Sequence, residues 1–336
     1  MLRRGPRRLG AARHGDIYAY GSLPGVPDCL YVDQAVRGAV PDPGAPQGAK
    51  GPPAARFEAP VGETVVTKNL QVLSLGAGVQ STVLLLMSAE GMLPKLDLAV
   101  FADTQAEPQY VYDHLDRLDE QVAKPAGITI KRVSDGSLED LARNERMDVP
   151  MYLRHPDGTA GFLRRRQCTS NYKVRPIKRF CRKWMQDRGE KTYDQWIGIS
   201  LDEFTRAKDA DVKYIHHKFP LLDKRMDRRD CLKFLGERGW TTPKSACVFC
   251  PYRRDEEWRW LKEQHPTEFQ RAVDFDTHIR AHRLDHLTAD PYVHKSLKPL
   301  GEVVFGWTRK DTENAQLNFD GLSCSPFACA ADGEPS

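Results

Sequence analysis

Eight cysteines are spread along this chain, and two of them, in "KSACVFCPYR", stand as Cys247-x-x-Cys250 just ahead of Pro251. Two intervening residues let both sulfurs reach one metal centre across a tight turn. The same spacing fits a redox dithiol, half of a zinc site or part of an iron–sulfur site. A metal needs further ligands. Cys168 in "RRRQCTSNYK" follows the third expected strand, and Cys231 in "RRDCLKFL" opens the helix before the Cys-x-x-Cys turn. Four thiolates with no histidine beside them favour an iron–sulfur cluster or zinc. Cys231 also reads as a small buried hydrophobe on its helix, which would leave three thiolates and one open metal position. Cys181, mid-helix in "KRFCRKW", reads as core, while Cys29, Cys324 and Cys329 lie in the terminal stretches.

A second group of residues with chemistry in it is "VLSLGAGVQST", Val72 to Thr82. An apolar run enters Gly76-Ala77-Gly78 and leaves as a helix. Glycines there let the backbone turn tightly and present its N–H groups. With the helix N-terminus behind them they form an anion cradle, to which Ser81 and Thr82 add hydroxyls. The loop has neither the lysine of a Walker motif nor the full G-x-G-x-x-G spacing of a dinucleotide site. A plain strand-to-helix turn is the competing reading.

These residues need a scaffold. "QVLSL", "LDLAVFAD", "ITIKRVS" and "TYDQWIGIS" read as buried strands, and "STVLLLMSAEG", "QYVYDHLDRLDEQVAK", "RPIKRFCRKWMQDRG" and "RRDCLKFLGERG" read as helices between and after them. Pro176 suits a first helical turn, and Gly91 and Gly239 suit helix stops. Alternating strands and helices predict an α/β fold: a Rossmann-like parallel sheet with helices on both faces. After Pro243 the pattern changes to the cysteine turn and two helices, a small Cys-containing helical C-terminal segment. Trp258 and Trp260 cannot share one helix face, so one should pack inward and the other lie at a rim.

Four segments follow. Residues 1–68 hold nine of the 23 prolines and no sustained period, and read as a disordered Pro/Gly/Arg-rich extension. Residues 69–242 are expected to form the α/β domain that carries the glycine loop, 243–322 the Cys-x-x-Cys and helical region, and 323–336 a flexible tail. The 336 residues, 40% hydrophobic and 29% charged, describe a globular protein with ample core. No apolar run approaches ~18 residues and no signal peptide with an apolar h-region is expected, so no membrane span is expected and the cytoplasm is the expected compartment. There, eight cysteines do not make a disulfide framework. A net charge of +4 does not by itself argue for nucleic acid, but basic residues cluster at "LRRRQC", "KVRPIKRFCRKW" and "DKRMDRRD".

"GAGVQS", Gly76 to Ser81, resembles the S-G-G-x-D-S pyrophosphate loop of the adenine nucleotide alpha-hydrolase (PP-loop) superfamily, with Ala77 for a glycine and Gln80 for the aspartate. "FADTQAEP" resembles the D-T-G…P segment of phosphoadenosine phosphosulfate reductases, "CTSNYKVRP" their C-x-x-x-(R/Y)-K-x-x-P segment, and "IGISLDEFTRAKD" their G-x-R…S-x-R strand and loop. These segments come in the family's order over Val72 to Gly239. The resemblance implies nucleotide contacts at Gly76, Ala77, Gly78, Gln80, Ser81, Thr82, Asp103, Thr104, Lys173, Gly198, Ser200, Asp202 and Arg206. It implies a 4Fe-4S cluster ahead of Zn2+ on Cys168, Cys231, Cys247 and Cys250. It implies ATP or phosphoadenosine phosphosulfate as the nucleotide, with Mg2+ accompanying it. Asp103 also reads as a turn carboxylate and Lys173 as a surface charge.

The expected function is that of a phosphoadenosine phosphosulfate reductase-like enzyme, binding an adenine nucleotide beside an iron–sulfur cluster. Its chemistry would be sulfur transfer in nucleic-acid modification, with DNA or tRNA as partner, or sulfonucleotide reduction with a thioredoxin-like reductant. The reductases carry a nucleophilic cysteine in a Glu-Cys-Gly tail. Here the tail reads Ser323-Cys324-Ser325, so Cys324 is the candidate nucleophile in an altered context. The alternative is a non-catalytic iron–sulfur or zinc redox sensor that binds nucleotide or nucleic acid.

Overall fold

A strand that is apolar and buried at every position, as Leu98–Ala102 is here, has to be covered on both sides. The computed structural model describes residues 69–164 and 166–306. They belong to one compact unit, Val65–Ser336. Strands β1 (Leu70–Ser74), β2 (Leu98–Ala102) and β3 (Ile130–Val133) alternate with helices α1 (Val79–Ala89) and α2 (Gln109–Leu118). Helix α3 (Leu138–Asn144) and strands β4 (Met151–Arg154) and β5 (Ala160–Leu163) follow. A short helix, α4 (Gln167–Thr169), runs through a π-helical turn (Ser170–Val174) into α5 (Arg175–Gln186). Then come β6 (Tyr193–Trp196), β7 (Ile215–Lys218), α6 (Pro220–Asp223), α7 (Arg228–Gly236), α8 (Asp255–Gln264), α9 (Pro266–Ala281) and β8 (Asp290–Tyr292).

The main sheet has the order β3-β2-β1-β6-β7, and every pair in it is parallel. The period-2 alternation of strand side chains sorts its residues between two cores. Leu73, Ala99, Phe101 and Trp196 pack with α1, α2 and α7 on one face. Val72, Leu98, Val100 and Tyr193 pack with Ile177, Cys181 and Met185 of α5 on the other. Helices on both faces of a parallel sheet make the fold α/β, as the alternation of elements predicts.

A third core lies under the cysteine turn. Phe249 stacks on Phe275 of α9 with ring centroids 3.9 Å apart. Trp258 is fully buried and Trp260 only partly, which is the division their spacing implies. A second, antiparallel sheet, β5-β4-β8, lies on the edge of this core, built of strands too short to show a pattern in the sequence. No helix among the described residues is long and apolar enough to cross a membrane.

Candidate active site

From β1 the chain goes to β2 on one side, whereas β6 lies on the other side of β1. That reversal makes the carboxyl ends of β1 and β6 the switch point of the sheet, the place where open α/β sheets bind ligands. The loop after β1 and the segment after β6 both reach it. Gly198 has no side chain to keep them apart: a Cβ there would sit 3.0 Å from Gln80 Cβ and 3.0 Å from the Ser81 backbone nitrogen.

The loop turns differently from the sequence expectation. Its left-handed residue is Ala77, at φ 54°, and neither Gly76 nor Gly78 has positive φ. A Cβ in that conformation costs roughly 1–2 kcal/mol, so the segment holds local strain. Ser81 ties the turn from inside: its Oγ accepts from the Gly76 N–H at 3.2 Å and donates to the Gly78 carbonyl at 3.2 Å. Gly78 is the N-cap of helix α1, which has no side-chain cap and no acidic residue in its first turn. The Thr82 N–H returns to the Gly78 carbonyl at 3.0 Å. The N–H groups of Ala77, Gly78, Val79, Gln80 and Ser81 have no acceptor among the described residues, although all five residues are buried. The first amides of any helix lack an intrahelical acceptor, and buried amides in native proteins are nearly always paired, so this row is open to an acceptor from outside the chain. Thr82 points elsewhere, its Oγ1 lying 3.4 Å from Nε2 of His114 on α2.

Gln80 faces the segment after β6. Its Nε2 donates to Ser200 Oγ at 3.3 Å and to Glu203 Oε2 at 3.2 Å, and its Oε1 accepts from Arg228 at 3.4 Å. Arg206 holds the other Glu203 oxygen at 2.5 Å. Burial pushes the Glu203 carboxyl up, against the pull of Arg206. Asp202 is exposed and accepts the Arg228 N–H at 2.9 Å, fixing the start of α7. The structure thus brings Gln80, Gly198, Ser200 and Arg206 together at the switch point. Glu203 and Arg228 join them there, two residues that the sequence reading did not single out.

The tip of β2 connects this end of the sheet to the cysteines. Asp103 accepts from the Tyr112 hydroxyl at 2.7 Å and from the Gln105 N–H at 2.8 Å, a turn carboxylate in its bonding. Thr104 Oγ1 lies 3.6 Å from Cys247 Sγ. The Val248 N–H donates to the Ala106 carbonyl at 2.8 Å, clamping the cysteine turn to the loop after β2. Buried Arg253 holds the turn from the other side by donating to the carbonyls of Ala246 and Cys247 at 2.9 and 3.3 Å. Within the turn the Cys250 N–H donates to the Cys247 carbonyl at 3.1 Å. Cys168, on α4, is anchored through its N–H to the Asp148 carbonyl at 3.0 Å.

Cys247 is half-buried. Burial, then the nearby Glu107 carboxylate, pushes its thiol well above the ordinary range; Lys173 opposes them, and Cys250 and Cys168 are close enough to add to the rise. Glu107 Oε1 lies 4.0 Å from that sulfur and 3.2 Å from Lys173 Nζ, in an ion pair that is almost wholly buried. Lys173 therefore stands at the thiols, held by Glu107. Glu107 was not legible as a site residue, its one signal being a lone charge before Pro108 at the tip of a strand.

Cys231 is placed apart. It is fully buried in the core under α1 and α7, and its charged neighbours are Asp202, Arg228, Asp230 and Asp227. Burial raises its thiol to about 12, and that of Cys181 likewise. Among the described residues no group of three or more His, Cys, Asp and Glu side chains is arranged to hold a metal ion. Cys250 and Cys168 are the thiols close enough to Cys247 to act on it electrostatically, and thiolates are the soft donors that iron–sulfur clusters and zinc take. Cys29, Cys324 and Cys329 lie outside the described residues.

Two solved structures are similar to this chain. One is phosphoadenylyl-sulfate reductase from Candida auris in a phosphate complex, at 16% identity, with 54% of this chain and 77% of that chain covered and a TM-score of 0.35. The other is the U34-tRNA thiolase NcsA from Methanococcus maripaludis with its 4Fe-4S cluster, at 17% identity, with 72% and 86% covered and a TM-score of 0.35. Both are enzymes. No family model matches the chain, and no curated protein matches it.

Proposed function

We propose that this chain is a PP-loop enzyme that binds the phosphate tail of an adenine nucleotide on the loop after β1 and carries out sulfur chemistry beside Cys168, Cys247 and Cys250. The observation that carries the reading is the row of five acceptor-free amides, Ala77 to Ser81, at the switch point of the sheet. Thr104 links that end of the sheet to Cys247. Aimed amides and an adjacent Arg206 favour a polyphosphate over a neutral ligand. With the tail held, a substrate oxygen attacks the α-phosphate, pyrophosphate departs into the loop, and a sulfur nucleophile then displaces AMP. The protein's share is positioning and charge stabilisation.

Three thiolates would hold an iron–sulfur cluster or zinc, and a three-ligand cluster would supply an open iron for reactive sulfur. Lys173 suits such a site, because its charge offsets the negative charge of deprotonated thiols in a buried setting. The sequence order of the reductase-like segments supports a second reading, reduction of a sulfonucleotide by a thiol, for which Cys324 is the candidate nucleophile. Incubation of anaerobically purified protein with ATP plus a tRNA or DNA acceptor, and separately with phosphoadenosine phosphosulfate plus reduced thioredoxin, separates the cases. Pyrophosphate release supports the first reading and sulfite release the second. Nucleotide binding with neither product identifies a sensor, and absence of nucleotide binding refutes both.

A further inference from the structure

Helix α5 has two sharply different sides. Pro176, Ile177, Cys181 and Met185 are buried against the sheet. Arg175, Lys178, Arg179, Arg182 and Lys183 fall at i, i+3, i+4, i+7 and i+8, the spacing of one helix face. With Tyr214 they line an open groove of about 600 Å³. Among the described residues two carboxylates answer these five cations: Asp211 pairs with Lys178, and Asp135 with Arg179. Arg182 lies over the Tyr214 ring at 5.4 Å. Arg175 and Lys183 are exposed and have no ion pair among the described residues.

The dimensions choose the kind of partner. Eight residues of helix separate Arg175 from Lys183, about 12 Å at ~1.5 Å per residue. Phosphates of one duplex strand follow one another at ~3.4 Å along the axis, so the row matches three or four of them. A mononucleotide would engage one end only. The groove also lies on the helical run that carries Cys168 and Lys173, since α4, the π turn and α5 are continuous.

We propose that the basic face of α5 docks the sugar–phosphate backbone of a nucleic acid and so presents a substrate strand towards the thiol site. This deepens the nucleic-acid branch of the proposed function, and docking is measurable without turnover. The probes are a fluorescein-labelled 30-base-pair DNA duplex, a single strand of the same length and a folded tRNA, titrated by anisotropy between 50 and 200 mM KCl. Salt-dependent binding is expected, tightest for the duplex, whose phosphate spacing the row matches. The triple variant Arg175→Gln/Arg182→Gln/Lys183→Gln should lose more than tenfold in affinity at 100 mM salt and flatten the log–log salt slope by about 2–3. Its melting curve and its ATP affinity should not change. A control with equal charge loss elsewhere, Lys95→Gln/Lys131→Gln/Lys233→Gln, should bind like the parent. Equal losses in the two variants, an unchanged triple variant, or no binding of any probe overturns the docking surface. ATP affinity, measured on the same samples, tests the nucleotide reading separately.

Discussion

The contact between Gly198 and the start of α1 can be broken by a single methyl group. An alanine Cβ at 198 would lie 3.0 Å from Gln80 Cβ, 3.0 Å from Ser81 N and 3.1 Å from Gln80 C. Non-bonded carbons settle at about 3.5–4.0 Å, so one of the two segments must move by roughly half an ångström. Most of what it meets is backbone in a fully buried region, which cannot rotate away. Overpacking of this kind costs typically about 1–3 kcal/mol, and the reduced freedom of the unfolded chain returns about 0.4–1. The expected net loss for Gly198→Ala is therefore about 1–2 kcal/mol. Displacing the amides of Gln80 and Ser81 should also weaken charge-assisted bonds to a bound anion, at about 1.5–3 kcal/mol each, so ATP affinity should fall at least tenfold. Gly236→Ala is the matched control: a Cβ there meets nothing within 4 Å, and the site is exposed in α7. It should be neutral or stabilising by up to about 1 kcal/mol. Urea unfolding gives the stabilities and calorimetric titration with ATP gives the affinities. If Gly198→Ala matches the parent in both, the close approach of the two segments does not set the position of the loop.

Other expectations concern the thiols and one buried histidine. Cys247→Ser should remove iron and sulfide from anaerobically purified protein while Cys231→Ala leaves them in place; elemental analysis decides, and equal loss would return Cys231 to the ligand set. Glu107→Gln removes the carboxylate that raises the Cys247 thiol and leaves Lys173 unopposed. The pH midpoint for alkylation of Cys247, followed by mass spectrometry, should therefore fall, and a rise would contradict the arrangement. Burial lowers His114 to about 4, with Arg117 adding to the effect. A folded value below the unfolded ~6.5 means that the unfolded chain takes up the proton first. Stability is then full above pH ~6.5 and falls as pH drops towards 4, by about 3 kcal/mol in all. In His114→Leu this part of the acid-side decline in the urea midpoint should disappear, and an unchanged pH profile would refute the assignment.

The central strands and their helices were legible because burial on both faces leaves near-continuous apolar runs, as in "QVLSL" and "LDLAVFAD". Gly91 and Gly239 do take up positive φ at helix ends. Edge strand β7, "IHHK", was not legible: it buries only Ile215 and carries no apolar pattern. Strands β4, β5 and β8 have three or four residues each, and β8 joins β4 from far along the chain, a pairing that no local pattern encodes. At the site, residue types revealed the loop and the Cys-x-x-Cys turn. They did not reveal that Ala77 takes the left-handed position, that Glu107 pairs with Lys173, or that Cys231 packs in a different core cluster from Cys168 and Cys247. Each of those depends on contacts between segments far apart in sequence.

A crystal structure of the protein grown with ATP tests the central claim most directly. The account predicts phosphoryl oxygens within hydrogen-bond distance of the amides from Ala77 to Ser81, at the carboxyl ends of β1 and β6. A nucleotide seated elsewhere, with those amides unengaged, would contradict it.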